Sequence, residues 1–185
     1  IIFATPDGTD HHASNGTVLT DTIPYNQIDL SNCHAILVPG GDVTNFKDNP
    51  EIDKVIQSAN RKKILMAAIC LGRIVLTKAK IMSGKKIAHG FTSTQIELLN
   101  FYFKDVHMSD EKIICDGHFI TAKPSAHIDF AVEIACRLNV VDAKNATRIK
   151  DYYRGILGQK IRPLALALIK NSQNQYLLHS GHDKI

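Results

Sequence analysis

Ile64-Leu65-Met66-Ala67-Ala68-Ile69-Cys70-Leu71-Gly72-Arg73 is the stretch that decides the fold. Its first six residues are apolar whichever face they present, so Ile64 to Ile69 reads as a strand sandwiched between two helix layers rather than an edge strand. The strand stops at Cys70-Leu71-Gly72, and a helical pattern restarts at once over Arg73 to Ala79. A buried strand that turns directly into a helix exposes the turn residue at the carboxyl edge of the sheet, in the arrangement of a nucleophile elbow. The next backbone amide is then free to serve an oxyanion, and the helix start favours thiolate over thiol through its partial positive charge and free donors. Cys70 is the candidate nucleophile, and the amide of Leu71 a candidate oxyanion donor.

Working outward, His34 to Val38 is a second buried strand, closed by Pro39-Gly40-Gly41-Asp42. In an open parallel sheet, sites form beyond the carboxyl ends of the strands, which brings this loop to the Cys70 edge. The amides of Gly40 and Gly41 are candidates to complete the oxyanion hole, although two glycines suit an ordinary strand-exit turn equally well. Ile1 to Ala4 opens the chain inside a strand. Asn49-Pro50 starts a helix, with Asn as cap, Pro in the first turn, and Ile52, Val55 and Ile56 as the buried stripe. Lys85 to His89 reads as a strand and Thr92 to Phe101 as a helix. Lys112 to Cys115 and His118 to Ala122 form a hairpin turning at Asp116-Gly117. Ser125 to Leu138 is a helix with Ile128, Val132, Ala135 and Cys136 on one face, and Asp142 to Leu157 is the last one. Strands alternating with helices predict an α/β fold, a flavodoxin-like three-layer sandwich with a mainly parallel sheet. A break near Gly155 to Lys160 separates a main domain, 1–158, from a C-terminal β-hairpin in 159–185, with arms Pro163 to Lys170 and Gln175 to His179.

Composition narrows the function. The chain has 185 residues, 44% hydrophobic and 22% charged, enough to bury a core without disulfides or a structural metal. Cys33, Cys70, Cys115 and Cys136 form no C-x-x-C pair and follow no signal segment, which predicts free thiols in a reducing cytoplasm. The longest apolar run, Ile64 to Leu71, is far short of the ~20 residues that span a bilayer, so no membrane association is expected. The net charge of +4 is scattered, aromatics are 6% and Trp is absent, which argues against nucleic-acid binding. No histidine pair has metal-ligand spacing with an acidic partner, so neither metal nor cofactor is expected. Among the histidines, His118 and His127 flank the hairpin and the helix after it, and His127 is the better candidate base. His89, His107 and His11-His12 read as solvated or capping residues.

Ile36-Leu-Val-Pro-Gly-Gly41, Ala67-Ala-Ile-Cys-Leu-Gly72, Lys78-Ala-Lys-Ile-Met-Ser-Gly-Lys-Lys86 and Asp116-Gly-His-Phe-Ile-Thr-Ala122, followed by Ile128-Asp-Phe-Ala131, resemble the ThiJ/PfpI superfamily in order and spacing. The resemblance covers about residues 1–158. It implies a domain similar to class I glutamine amidotransferases, a reactive elbow cysteine at Cys70 and a homodimer. The implied chemistry is glyoxalase, deglycase or hydrolase type on small carbonyl or amide-like substrates. Redox or stress sensing through Cys70, or an inactive docking module, are the alternatives. Against that pattern, the acid that hydrogen-bonds the cysteine in many relatives would lie before Ile1, with the first strand and helix. Leu71 stands where the peptidase-like branch carries His, which argues against peptidase activity. Arg73 stands where many relatives have Pro, either as a substrate-binding cation or pointing to solvent. Residues 161–185 resemble the opening hairpin of a Nudix hydrolase domain, without that family's metal-binding signature, so no Nudix activity is expected.

Overall fold

The structure, a computed structural model, describes residues 1–13, 16–42 and 49–156, and the backbone of 169–170 and 176–177. Its strands are β1 (Phe3–Thr5), β2 (His11–His12), β3 (Val18–Leu19), β4 (Thr22–Pro24), β5 (Ala35–Val38), β6 (Leu65–Ile69), β7 (Lys86–Ala88), β8 (His107–Ser109), β9 (Ile113–Asp116), β10 (Phe119–Ala122), β11 (Ile169–Lys170) and β12 (Tyr176–Leu177). Its α-helices are α1 (Pro50–Arg61), α2 (Arg73–Lys78), α3 (Ser93–Phe103), α4 (His127–Arg137) and α5 (Ala143–Tyr153).

The central sheet has the order β5-β6-β10-β9, with β5, β6 and β10 parallel and β9 antiparallel as the hairpin partner of β10. The register sets Val38 beside Ala68, and Ala122 beside Ile69, so the loops leaving β5, β6 and β10 emerge at one edge. Alternation along β6 feeds two cores. Met66 and Ala68 face Ile56 and Ala59 of α1, Ile74 and Leu76 of α2, and Phe119. Ala67 faces Ile120, Ala126, and Phe130 and Ile134 of α4 on the other side. Leu37, paired with Ala67, is 53% exposed on that second side, so α4 covers β6 and β10 but leaves β5 open.

Local chemistry explains the helix starts. Asn49 accepts a hydrogen bond from the Glu51 amide at 2.9 Å, with Pro50 at the first helical position and Glu51 and Asp53 in the first turn. Thr92 and Gln95 form a reciprocal capping box on α3. Asp142 accepts from the Asn145 amide at 2.8 Å and caps α5, which stops at Tyr153, short of the Leu157 read from the sequence. Gly155, at φ +69°, turns the chain there, its amide donating to the Tyr152 carbonyl.

Two further sequence expectations are corrected. The segment read as one helix from Ser125 begins as a 3-10 turn over Pro124–Ala126, and the α-helix starts at His127. The residues that pack into the core with the sheet are Ala126, Phe130 and Ile134, rather than Ile128, Val132, Ala135 and Cys136. Val132 is also buried, but Cys136 is only half-buried. The salt bridges to Asp129 of α4 from Lys150 of α5 and from Arg154, which caps its C-terminus, hold these two helices side by side. At the C-terminus, β11 and β12 pair antiparallel, Ile169 with Leu177 and Lys170 with Tyr176. The remainder of 159–185, and with it the Nudix resemblance, lies outside the described residues.

Candidate functional site at the Cys70 elbow

Cys70 has φ +57°, the left-handed region that a residue with a Cβ enters at a cost of roughly 1–2 kcal/mol. It opens a 3-10 turn, Cys70–Gly72, that runs directly into the six-residue α2. The strand-to-helix turn read from the sequence is therefore present, with a 3-10 first turn.

Two glycines let the β5 exit loop close onto this elbow. A Cβ placed on Gly40 would lie 2.6 Å from Cys70 Cβ and 3.3 Å from Cys70 Sγ, so only a residue without a side chain can bring its backbone this close to the sulfur. A Cβ on Gly72 would collide with the Pro39 carbonyl oxygen and stand 2.6 Å from that of Val38. Gly40 and Gly72 are thus required by mutual contact between the 38–40 and 70–72 segments. Gly41 follows at φ +145°. The structure brings Cys70, Leu71, Gly40 and Gly41 to the same edge, with Gly40 against the sulfur.

Arg73 takes neither position considered from the sequence. It is 1% exposed, so it is neither a solvent-facing cation nor an open substrate clamp. Its Nε donates to the Cys70 carbonyl at 2.6 Å, Nη1 donates to the Ala88 carbonyl, and the guanidinium lies 4.7 Å above the ring centre of Phe91. Burial pulls its pKa down to about 10, while Cys70 acts in the opposite direction.

The histidines are redistributed. His118 lies at the β9–β10 turn, where its carbonyl accepts from the Met66 amide near the start of β6, so it is at the edge opposite Cys70. Its Nε2 lies 2.9 Å from Asn60 Oδ1 of α1. His127 follows the carboxyl end of β10 and so is at the Cys70 edge, but it is exposed at the first position of α4. Sequence reasoning missed His89. The Lys86 amide is bound to the Asp116 carboxylate at the end of β9 and the Ala88 amide to Thr121 Oγ1 of β10, so β7 lies against this hairpin with its carboxyl end beside that of β10. His89 therefore emerges at the same edge as Lys123 and Cys70, one residue beyond the carbonyl that Arg73 holds. Its Nδ1 is buried without a hydrogen-bond partner among the described residues, and its Nε2 lies 3.8 Å from Asp110 Oδ1, which also binds Lys123 at 3.0 Å. An orphaned buried ring nitrogen at a site edge is a group available for proton transfer. The available sequence signal was a histidine directly after a strand in Lys85-Lys-Ile-Ala-His89. Only the contact of Ala88 with Thr121 of β10 distinguishes it from a capping residue.

The other thiols are unlike Cys70. Cys33 Sγ donates to the Ala35 carbonyl at 3.4 Å, and burial pushes its pKa up. Cys115 is exposed on the edge strand β9, because β9 has no further strand beyond it in the central sheet. Partial burial of its sulfur, then the Glu133 carboxylate 3.4 Å away, push its pKa up. Among the described residues no group of three or more His, Cys, Asp or Glu side chains is placed to hold a metal ion, and no helix is long and apolar enough to cross a membrane.

A mainly parallel α/β sheet carrying a left-handed cysteine at the end of its central strand, pressed by a glycine loop, defines a flavodoxin-like domain with a cysteine elbow. A family model for the DJ-1/PfpI family matches residues 1–137, and the chain belongs to that family. Protein DJ-1alpha and protein dj-1beta of Drosophila melanogaster are each 27% identical to it, over 65% and 64% of this chain. The chain spans only 55% and 62% of the length of these two curated relatives. Among solved structures, a DJ-1 superfamily protein from Agrobacterium tumefaciens has the same fold, with a TM-score of 0.69 at 22% identity, covering 83% of this chain and 81% of that one.

Proposed function

We propose that the chain is a cysteine-dependent enzyme of the DJ-1/PfpI type acting on small reactive carbonyl or amide-like substrates, with Cys70 as nucleophile. The observation that carries this reading is the left-handed Cys70 with the Gly40 backbone against its sulfur. Strain of this kind persists where the surrounding structure over-determines it, and such sites cluster where chemistry is done. In the proposed step the Cys70 thiolate adds to the carbonyl carbon of an aldehyde, forming a C–S bond while the C=O electron pair moves to oxygen. The amides of Gly40, Gly41 and Leu71 are the proposed donors to that oxyanion. His89 is the proposed group that hands the oxygen its proton, replacing the exposed His127.

Turnover of methylglyoxal by the wild type and by Cys70→Ala tests the reading. Loss of the nucleophile is expected to lower the rate by about a hundredfold or more, toward background. Equal turnover by the two proteins contradicts it. The second reading is a redox sensor in which Cys70 is oxidised to a sulfenic or sulfinic acid, favoured by the raised pKa values of Cys33 and Cys115, which leave those thiols less reactive. Peptide mapping after peroxide treatment, with oxidation concentrated at Cys70 and no carbonyl turnover, would select it.

A further inference from the structure

A guanidinium at 1% exposure is expensive to bury, and this one has no carboxylate within ion-pair distance among the described residues. Arginine is rarely buried without such a partner. What holds it is the backbone of two separate elements. Nε takes the carbonyl of Cys70, the strained residue itself, and Nη1 takes the carbonyl of Ala88, the last residue of β7. Phe91, three residues beyond Ala88, closes over the guanidinium and stacks 5.3 Å from Phe103 of α3.

We infer that Arg73 is a positioning residue, a clamp that fixes the elbow of Cys70 and sets its distance from His89. The inference rests on the functional reading of Cys70 and His89 and deepens it. A rigid planar fork with donors in fixed directions can bind two carbonyls at once, which a neutral or single-headed side chain cannot do. The Cys70 carbonyl is the peptide oxygen that follows the strained φ, so a donor locked onto it resists relaxation of the turn toward the ordinary right-handed region. The Ala88 carbonyl precedes His89, so the same side chain limits where that imidazole stands relative to the sulfur. Arg73 itself faces backbone and Phe91, and it is assigned no contact with substrate.

The test measures Cys70 alkylation by iodoacetamide at fixed pH in the full chain, for the wild type, Arg73→Met, Arg73→Lys and the core control Ile56→Val. Release of the turn is expected to slow Cys70 labelling by about tenfold in Arg73→Met, and by less in Arg73→Lys, which keeps a cation able to reach one carbonyl. Ile56→Val, which loosens the core beside α1 without touching the elbow, is expected to leave the rate within about twofold. The His89 imidazole resonances are expected to shift in both Arg73 variants and not in the control. Should Arg73→Met fail to fold, Arg73→Lys carries the test, and a Lys variant with wild-type labelling and unmoved His89 resonances overturns the inference. So does an Arg73→Met rate that falls no further than that of Ile56→Val. The functional reading fails on a different result, methylglyoxal turnover unchanged in Cys70→Ala.

Discussion

At the residue scale, the Cys70 elbow depends on how closely backbone can approach one sulfur. The space at Gly40 is too small for a methyl group, since its Cβ would lie 2.6 Å from Cys70 Cβ. Gly40→Ala therefore has to push the 38–40 loop away from the elbow, because the obstructing atom is a short side chain on a constrained turn rather than the end of a flexible one. The expected cost is about 1–3 kcal/mol of stability, in the range of core overpacking. Loss of Cys70 reactivity should accompany it, read as unfolding midpoint and iodoacetamide rate in the same samples. A Gly40→Ala protein as stable and as reactive as the wild type contradicts the close approach. Cysteine, glycine and their order were readable in Ala67-Ala-Ile-Cys-Leu-Gly72 because an apolar strand followed at once by a helical pattern leaves few ways to turn. The burial of Arg73 was not readable. Nothing local distinguishes an arginine at a helix start that bends inward onto two carbonyls from one that points to water; the partners come from β7 and Phe91, distant in sequence.

At the element scale, the β9–β10 hairpin is fastened to α1 by His118, whose ring lies 2.9 Å from Asn60 Oδ1 and donates from Nε2 in its neutral form. Burial first, then Lys63 and Lys85, hold the His118 pKa below its ordinary 6.5. The unfolded chain thus takes up a proton near pH 6.5 that the folded chain resists, so this contribution is full above about pH 6.5 and is lost as pH falls below it. A thermal midpoint measured from pH 7.5 to 5 should decline in that window, and less steeply in His118→Gln. The paired carboxylates Asp110, Glu111 and Asp116, whose pKa values are lowered, act separately below about pH 4. Equal slopes for the two proteins would show that His118 is not the group involved. The elements themselves were legible to different degrees. The start of α1 follows from Asn49-Pro50, since both residues act on the turn they sit in. The face of α4 does not follow from its sequence, because Ile128, Phe130, Ala131, Val132, Ile134, Ala135 and Cys136 surround the helix almost completely. Its phase is set by what it meets, the Ala67 and Ile120 face of the sheet and the ion pairs from α5 to Asp129.

At the scale of the whole molecule, the parallel register of β5, β6 and β10 carries three loops to one edge, and the bond from Ala88 of β7 to Thr121 of β10 brings a fourth there. That convergence places the glycine loop, the cysteine elbow, Lys123 and His89 together, although they lie between positions 40 and 123 of the chain. The α/β class and the position of Cys70 were legible because β6 is apolar on both faces. Of the short pairs β1–β4, β2–β3 and β7–β8, β1 and β7 fall in the strands read at Ile1 to Ala4 and Lys85 to His89, whereas β2, β3, β4 and β8, only two or three residues each, carry too little periodicity to be read. Their pairing depends on partners far along the chain, and the burial of His89 beside Asp110 did not read from the sequence for that reason. The central claim is that this convergence makes one of the four cysteines reactive. Labelling the folded chain with limiting iodoacetamide at neutral pH, and quantifying each cysteine peptide by mass spectrometry, tests it most directly. The account predicts that half-buried Cys70 is alkylated ahead of Cys33, Cys136 and the more exposed Cys115. Labelling that follows exposure, with Cys115 first and Cys70 inert, would contradict it.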